Sequence, residues 1–155
     1  MQPTPILSTL IYPRRGDKVL LMQRRKPPNL GLWVAPGGKL EWNESPAECA
    51  RRELLEETGL HAERLTLRGH ITEWSPRADW QWMMWLYIAE GLSGDLVGDE
   101  REGDVRWWSL TDALTLPMPE ADQVFMPRIL KEDAPFYEAR MVYDADLALV
   151  DVVEA

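Results

Sequence analysis

Glu53, Glu56 and Glu57 crowd into one short stretch of GGKLEWNESPAECARRELLEETGL, residues 37–60, and Glu44 stands just upstream. Ser45, Pro46 and Glu48 form a helix start: serine caps, proline suits the first turn, and a glutamate three positions on closes a capping box. Gly59 is a natural stop, because glycine takes the left-handed conformation that ends helices. The spacing therefore predicts a helix over 46–58, with the three carboxylates at i, i+3 and i+4 on one face. Ala47, Ala50 and Leu54 make an apolar stripe opposite. Like charges at that spacing cost about 0.2–0.5 kcal/mol a pair. Glu56 and Glu57 in the last turn each cost about 0.3–1 kcal/mol more against the helix dipole. A divalent cation reverses both penalties. All-oxygen donors without histidine or cysteine point to Mg²⁺, or Mn²⁺, before zinc, and magnesium is commonly shared with substrate phosphates. Just before the helix, Gly37 and Gly38 allow close backbone approach and Lys39 adds a cation. The pattern describes a metal–phosphate site.

The elements that must position this site read mainly as strands. Segments 6–12, 18–24, 64–74, 80–90 and 104–110 carry strand composition, and 80–90 is apolar on both alternating faces, as expected of a central strand covered on both sides. Residues 119–132 read as a second helix, broken or bent near Pro127. Residues 136–153 read as a hairpin turning at Asp144 to Asp146. Strands dominate with two main helices among them, and nothing suggests a regular βαβ repeat, so the class is α+β. The 155 residues are expected to form a single domain over 1–155.

A net charge of −9 repels nucleic-acid phosphate, so no polymeric nucleic acid is expected as partner. Cys49 is the one cysteine and excludes an intrachain disulfide. The longest apolar run, 82–89, is far short of the ~20 residues of a membrane helix, and the N-terminus lacks signal-peptide features. A cytoplasmic protein without membrane contact is the expectation; the oligomeric state stays open.

The residues also match a known pattern. Gly38, five residues, Glu44, seven residues, Arg52-Glu53-Leu54, one residue, Glu56-Glu57, one residue, Gly59-Leu60 resembles the Nudix box without gap or substitution. The resemblance implies the Nudix fold, a mixed β-sheet sandwiched between α-helices. It implies hydrolysis of a nucleoside diphosphate linked to another group, with Mg²⁺ or Mn²⁺ held by Glu53, Glu56 and Glu57. Glu44, Arg52 and Gly59 would be structural, compatible with an i, i+4 Glu48–Arg52 pair. Metal-activated water attacks phosphorus, and a carboxylate must take its proton. Glu53 is the first candidate base and Glu102, in EREGDVRWW, the second; Glu57 completes the catalytic set. Arg24 and Lys39 are candidate phosphate partners.

Beyond the box, LMQRRKPPNLGLWVAPGGKLE, EREGDVRWW and APFYEARMVYD are similar to MutT-like proteins, particularly bacterial 8-oxo-dGTP diphosphatases. This likeness implies cleavage of an oxidised purine nucleoside triphosphate to monophosphate and pyrophosphate, in nucleotide-pool cleansing. Trp82 and Met84, with Trp80 two residues earlier, alternate onto one strand face where an indole can stack on a purine. Asp122 stands where related oxopurine hydrolases read the base edge. Two positions depart from some relatives: Val34 replaces a base-reading asparagine, and Ala121 precedes Asp122 in place of a second aspartate. Two other readings remain: an ADP-ribose or nucleotide-sugar pyrophosphatase, faintly resembled through Pro76, and a non-catalytic nucleotide sensor. His61 and His70 are isolated and receive no role.

Overall fold

The computed structural model describes residues 2–97 and 103–155. Nine strands and three helices follow one another: β1 (Ile6–Arg15), β2 (Lys18–Arg24), β3 (Trp33–Val34), β4 (Gly37–Lys39), α1 (Pro46–Thr58), β5 (His61–Trp74), β6 (Trp82–Ser93), β7 (Gly103–Ser109), α2 (Leu110–Ala113), α3 (Glu120–Leu130), β8 (Tyr137–Tyr143) and β9 (Leu149–Glu154). The strands order as β3-β2-β1-β6-β5-β8-β9, with β4 also paired to β1 and β7 to β2. The sheet is mixed: β1 runs parallel to β6 and β5 parallel to β8, while β5–β6 and β8–β9 are antiparallel. Among the described residues no helix is long and apolar enough to cross a membrane.

Strand alternation explains why the sheet needs a helix on each face. Along β6, Tyr87 and Ala89 pack with Ala50 and Leu54 of α1, while Met84, Leu86 and Ile88 pack with Phe125, Met126 and Ile129 of α3. Neighbouring β1 splits the same way, with Ile11 towards α1 and Tyr12 towards α3. A central strand that is apolar on both faces is satisfied only by two cores. The expected mixed sheet sandwiched between helices is what forms.

Strand β5 changes faces partway. Its pairing with β6 runs Leu65↔Ala89 and Leu67↔Tyr87, then shifts to Gly69↔Leu86, Ile71↔Met84 and Glu73↔Trp82. This bulge turns the odd-numbered residues from the α1 face to the α3 face. Gly69 sits where the sheet is tight: a Cβ there would lie 2.9 Å from the Tyr137 carbonyl oxygen.

Three sequence expectations need correction. Helix α3 runs unbroken through Pro127. Pro127 removes one donor, but buried Phe125, Met126, Ile129 and Leu130 hold the turns on both sides of it in one core. Strand β6 begins at Trp82, so Trp80 belongs to the preceding loop. Strand β5 begins three residues earlier than expected, at His61.

Candidate active site

The acidic helix forms for the local reasons its sequence shows. The Ser45 hydroxyl accepts from the Glu48 amide at 3.1 Å, and the Glu48 carboxylate accepts from the Ser45 amide at 2.8 Å. Gly59 closes the helix at φ 77°, its amide donating to the Leu55 carbonyl at 2.9 Å. Because the capping box engages Glu48, the expected Glu48–Arg52 pair does not form. Arg52 instead grips Glu44 with two bonds, Nε to Oε1 at 2.7 Å and Nη2 to Oε2 at 3.0 Å. Its Nη2 also donates to the Lys39 carbonyl at 3.1 Å, and Nη1 reaches Glu53 at 2.8 Å and Glu56 at 3.3 Å. One guanidinium thereby ties β4, the following loop and two helix carboxylates together. The Arg52 bond pulls the Glu44 carboxyl down to about 2, and the same contact raises Arg52.

The helix carboxylates face the glycines of β4. The Gly37 amide donates to Glu57 Oε2 at 3.0 Å, and Glu57 is buried, not solvated. A Cβ at Gly38 would sit 2.4 Å from Glu53 Oε1, and one at Gly37 would sit 2.0 Å from the Thr9 carbonyl oxygen. Gly37 is required by the close backbone, and a side chain at Gly38 would displace the Glu53 carboxylate. Burial raises the Glu53 carboxyl, against the lowering effect of its Arg52 bond. Glu56 stands more open at the helix surface.

Among the described residues no three His, Cys, Asp or Glu side chains already converge as a metal-ligand cluster. The residues present nevertheless fit a hard divalent ion: carboxylate oxygens are the only side-chain anions on this face, and the missing Gly38 Cβ leaves room against Glu53. Cys49 is turned to the Thr9 hydroxyl and the Gly38 carbonyl, at 3.4 and 3.6 Å.

A cleft of about 680 Å³ opens beside β4. It gathers Arg24, Gly37, Gly38, Lys39, Trp82, Met84 and Asp122, all seven residues expected to bind substrate, and Val34 with them. Glu102 lies outside the described residues. The Lys39 ammonium stands 5.8 Å from the Trp82 ring centroid, and the Trp80 and Trp82 rings meet edge to face at 5.5 Å. Arg24 donates from Nε to the Pro28 carbonyl at 2.7 Å.

Sequence reasoning left Glu73 and Tyr143 out of the cleft, and gave Trp80 no contact with either. The Tyr143 hydroxyl donates to Glu73 Oε1 and the Trp80 indole to Oε2, each at 3.2 Å. Burial pushes the Glu73 carboxyl up to about 7. Burial, and then the charge of Glu73, pushes Asp122 up to about 8. Asp122 carried a sequence signal of its own, since with Phe125, Met126 and Ile129 it falls on one helix stripe, and a carboxylate there is out of place. Glu73 carried none, because its inward aim depends on the bulge. His61 is exposed, and His70 lies 5.2 Å from the Trp85 ring, away from the cleft lining.

Residues 4–129 match the family described as NUDIX domain. The uncharacterized Nudix hydrolase YvcI of Bacillus subtilis is 36% identical over 118 residues, 74% of this chain and 73% of that protein. The human 8-oxo-dGDP phosphatase NUDT18 is 32% identical over 114 residues, 70% of this chain but 32% of that longer protein. The crystal structure of the MutT protein from Bacillus halodurans superposes with a TM-score of 0.86 at 29% identity, covering 96% of this chain and 97% of that one.

Proposed function

The chain belongs to the Nudix family and is a pyrophosphohydrolase within it; from that premise we propose that it cleaves an oxidised purine nucleoside triphosphate, 8-oxo-dGTP, to the monophosphate and pyrophosphate. The observation that carries this reading is the lining of one cleft. Arg24, Lys39 and the backbone of Gly37 and Gly38 share it with Trp80, Trp82 and the buried carboxyls of Glu73 and Asp122, and the Lys39 ammonium stands 5.8 Å from the Trp82 ring. A nucleotide needs both kinds of lining: cations and backbone for its phosphates, rings and polar groups for a flat base bearing donors and acceptors. The likeness to a phosphatase of oxidised guanine nucleotides supports the choice of base.

Glu53, Glu56 and Glu57 would hold Mg²⁺, or Mn²⁺ in its place. When bound, the ion supplies charge neutralisation of the diphosphate and acidification of a water. The chain's own groups do the rest. Lys39 and Arg24 receive phosphate oxygens, and the Gly37–Gly38 backbone admits them closely. Arg52 keeps the helix and the β4 loop in register through Glu44. Glu53 accepts the water's proton, its carboxyl being buried against Gly38. Trp82 and Met84 flank the ring and Asp122 bonds its edge.

The test is nucleoside monophosphate formation with Mg²⁺ from 8-oxo-dGTP, 8-oxo-dGDP, dGTP, dATP, ADP-ribose and UDP-glucose, ranked by kcat/KM, with pyrophosphate as the second product expected from the triphosphates. A preference for 8-oxo-dGTP is expected, and faster ADP-ribose or sugar-nucleotide turnover defeats the substrate assignment. Glu57→Gln should lose at least about a hundredfold in kcat while keeping the fold, because glutamine still accepts from Gly37. Wild-type turnover in that variant refutes the role of the carboxylates.

A further inference from the structure

The cleft holds more chemistry than the proposed reaction has used. Two carboxyls reach it from separate elements, Glu73 from β5 and Asp122 from α3. Both are only 9% exposed, and among the described residues no lysine, arginine or histidine is paired with either. Glu73 is the better held. Tyr143 and Trp80 each bond one of its oxygens, which leaves each oxygen a free site for a ligand. The loop carrying Trp80 is itself fixed. The Ser75 hydroxyl accepts from the Arg77 amide and donates to the Trp80 carbonyl, while the Gln81 amide group donates to the Ser75 carbonyl at 2.7 Å. One donor of the cleft lining is buried and, among the described residues, unpartnered: the Trp82 indole nitrogen.

Buried polar groups are retained at a cost unless something satisfies them. A cationic ligand would satisfy two carboxylates but not the unused Trp82 donor. A flat heterocycle with both N–H and C=O groups along its edge satisfies both kinds, and the Trp80–Trp82 pair and Met84 supply walls for it. The raised carboxyls agree, since a neutral acid gives as well as accepts a hydrogen bond.

We propose that Glu73 is a specificity-determining residue of this site: its carboxyl, clamped by Tyr143 and Trp80 and facing the same cleft as Asp122, hydrogen-bonds the edge of the purine and sets which base is accepted. This rests on the purine-nucleotide reading above. Asp122 and Glu73 then form one recognition pair drawn from helix and sheet. Glu73 contacts the base and not the reacting phosphorus, so it acts on affinity and base ranking, with little direct effect on chemistry.

The experiment is direct binding without turnover. Wild type, Glu73→Ala, Glu73→Gln and Tyr143→Phe are titrated with 8-oxo-dGMP, dGMP, dAMP and dTMP in chelator, following tryptophan fluorescence. Glu73→Ala should weaken 8-oxo-dGMP about tenfold or more and flatten the ranking among bases, since a site built to hydrogen-bond an edge discriminates through that bond. Glu73→Gln, which keeps a donor and an acceptor, should recover most of the loss, and Tyr143→Phe should fall between. Should the alanine variant fail to fold, Tyr143→Phe carries the test, and affinity and ranking unchanged from wild type in that variant overturn the proposal. Unchanged affinity in Glu73→Ala overturns the proposal, and so does an equal loss for all four nucleotides. Absence of purine binding by the wild type overturns it too. Glu73-dependent ranking in a protein that releases no pyrophosphate upholds this inference and defeats the hydrolytic reading alone.

Discussion

Replacing Glu73 by glutamine should reverse its effect on stability as pH rises. The carboxyl is 9% exposed, and burial raises it from 4.5 to about 7 against the lowering bonds from Tyr143 and Trp80. In the unfolded chain it loses its proton near 4.5, whereas in the folded protein it keeps it to about 7. Between those values the folded state binds more protons, so stability falls as pH rises, by about 3 kcal/mol in all, and is flat above. Glutamine never ionises and escapes this loss. It has one acceptor oxygen where Glu73 has two, and so forfeits one of the two 3.2 Å bonds, at about 1 kcal/mol. The variant should therefore be about 1 kcal/mol less stable than wild type near pH 4.5 and about 2 kcal/mol more stable near pH 8, crossing at about pH 5–6. Removing the Glu73 charge also relieves Asp122, which adds in the same direction at high pH. Equilibrium urea unfolding at half-unit steps from pH 4.5 to 9 reads both ends of the curve. A variant less stable by a constant amount throughout refutes the reasoning, since Glu73 would then be ionised in the fold with its two donors offsetting burial.

Two other perturbations are read from single contacts. Gly38→Ala places a methyl 2.4 Å from Glu53 Oε1, so kcat/KM should drop at least about tenfold with the melting temperature nearly kept, because the carboxylate can swing outward; unchanged turnover would mean Glu53 needs no fixed position. Ser45→Ala removes the cap acceptor for the Glu48 amide and should cost about 1 kcal/mol in urea unfolding, while an unaltered midpoint would show that Pro46 and the Glu48 bond suffice.

What could be read from the sequence, and what could not, divides along the distance over which each residue is positioned. The capping box and the stop at Gly59 follow from helix geometry within one segment, and both stand as expected. For Arg52 the family resemblance implies a structural role shared with Glu44, and helix periodicity allows a further pair with Glu48. Glu48 lies one turn away on the helix, but capping claims it first, and Glu44 in the loop takes the guanidinium with two bonds. At Pro127, where a break or a bend was expected, no break forms. The local rule against proline is real, but the α3 core holds both flanking turns.

Glu73 marks the limit of alternation as a guide. Counted from Leu65 and Leu67, every odd residue of β5 belongs on the α1 face, and Glu73 would point away from the cleft. One inserted residue at the bulge sends Ile71 into the α3 core and Glu73 beside Tyr143. The tight contact at Gly69 agrees, because a side chain there would strike the Tyr137 carbonyl and Leu86. A lone glycine inside a strand is thus the one sequence mark of the switch. Read that way, the bulge at Gly69 carries a carboxyl from the α1 face into the lining of the cleft. The second acid of the cleft thereby comes from the sheet, and not from the residue beside Asp122, which is a buried alanine.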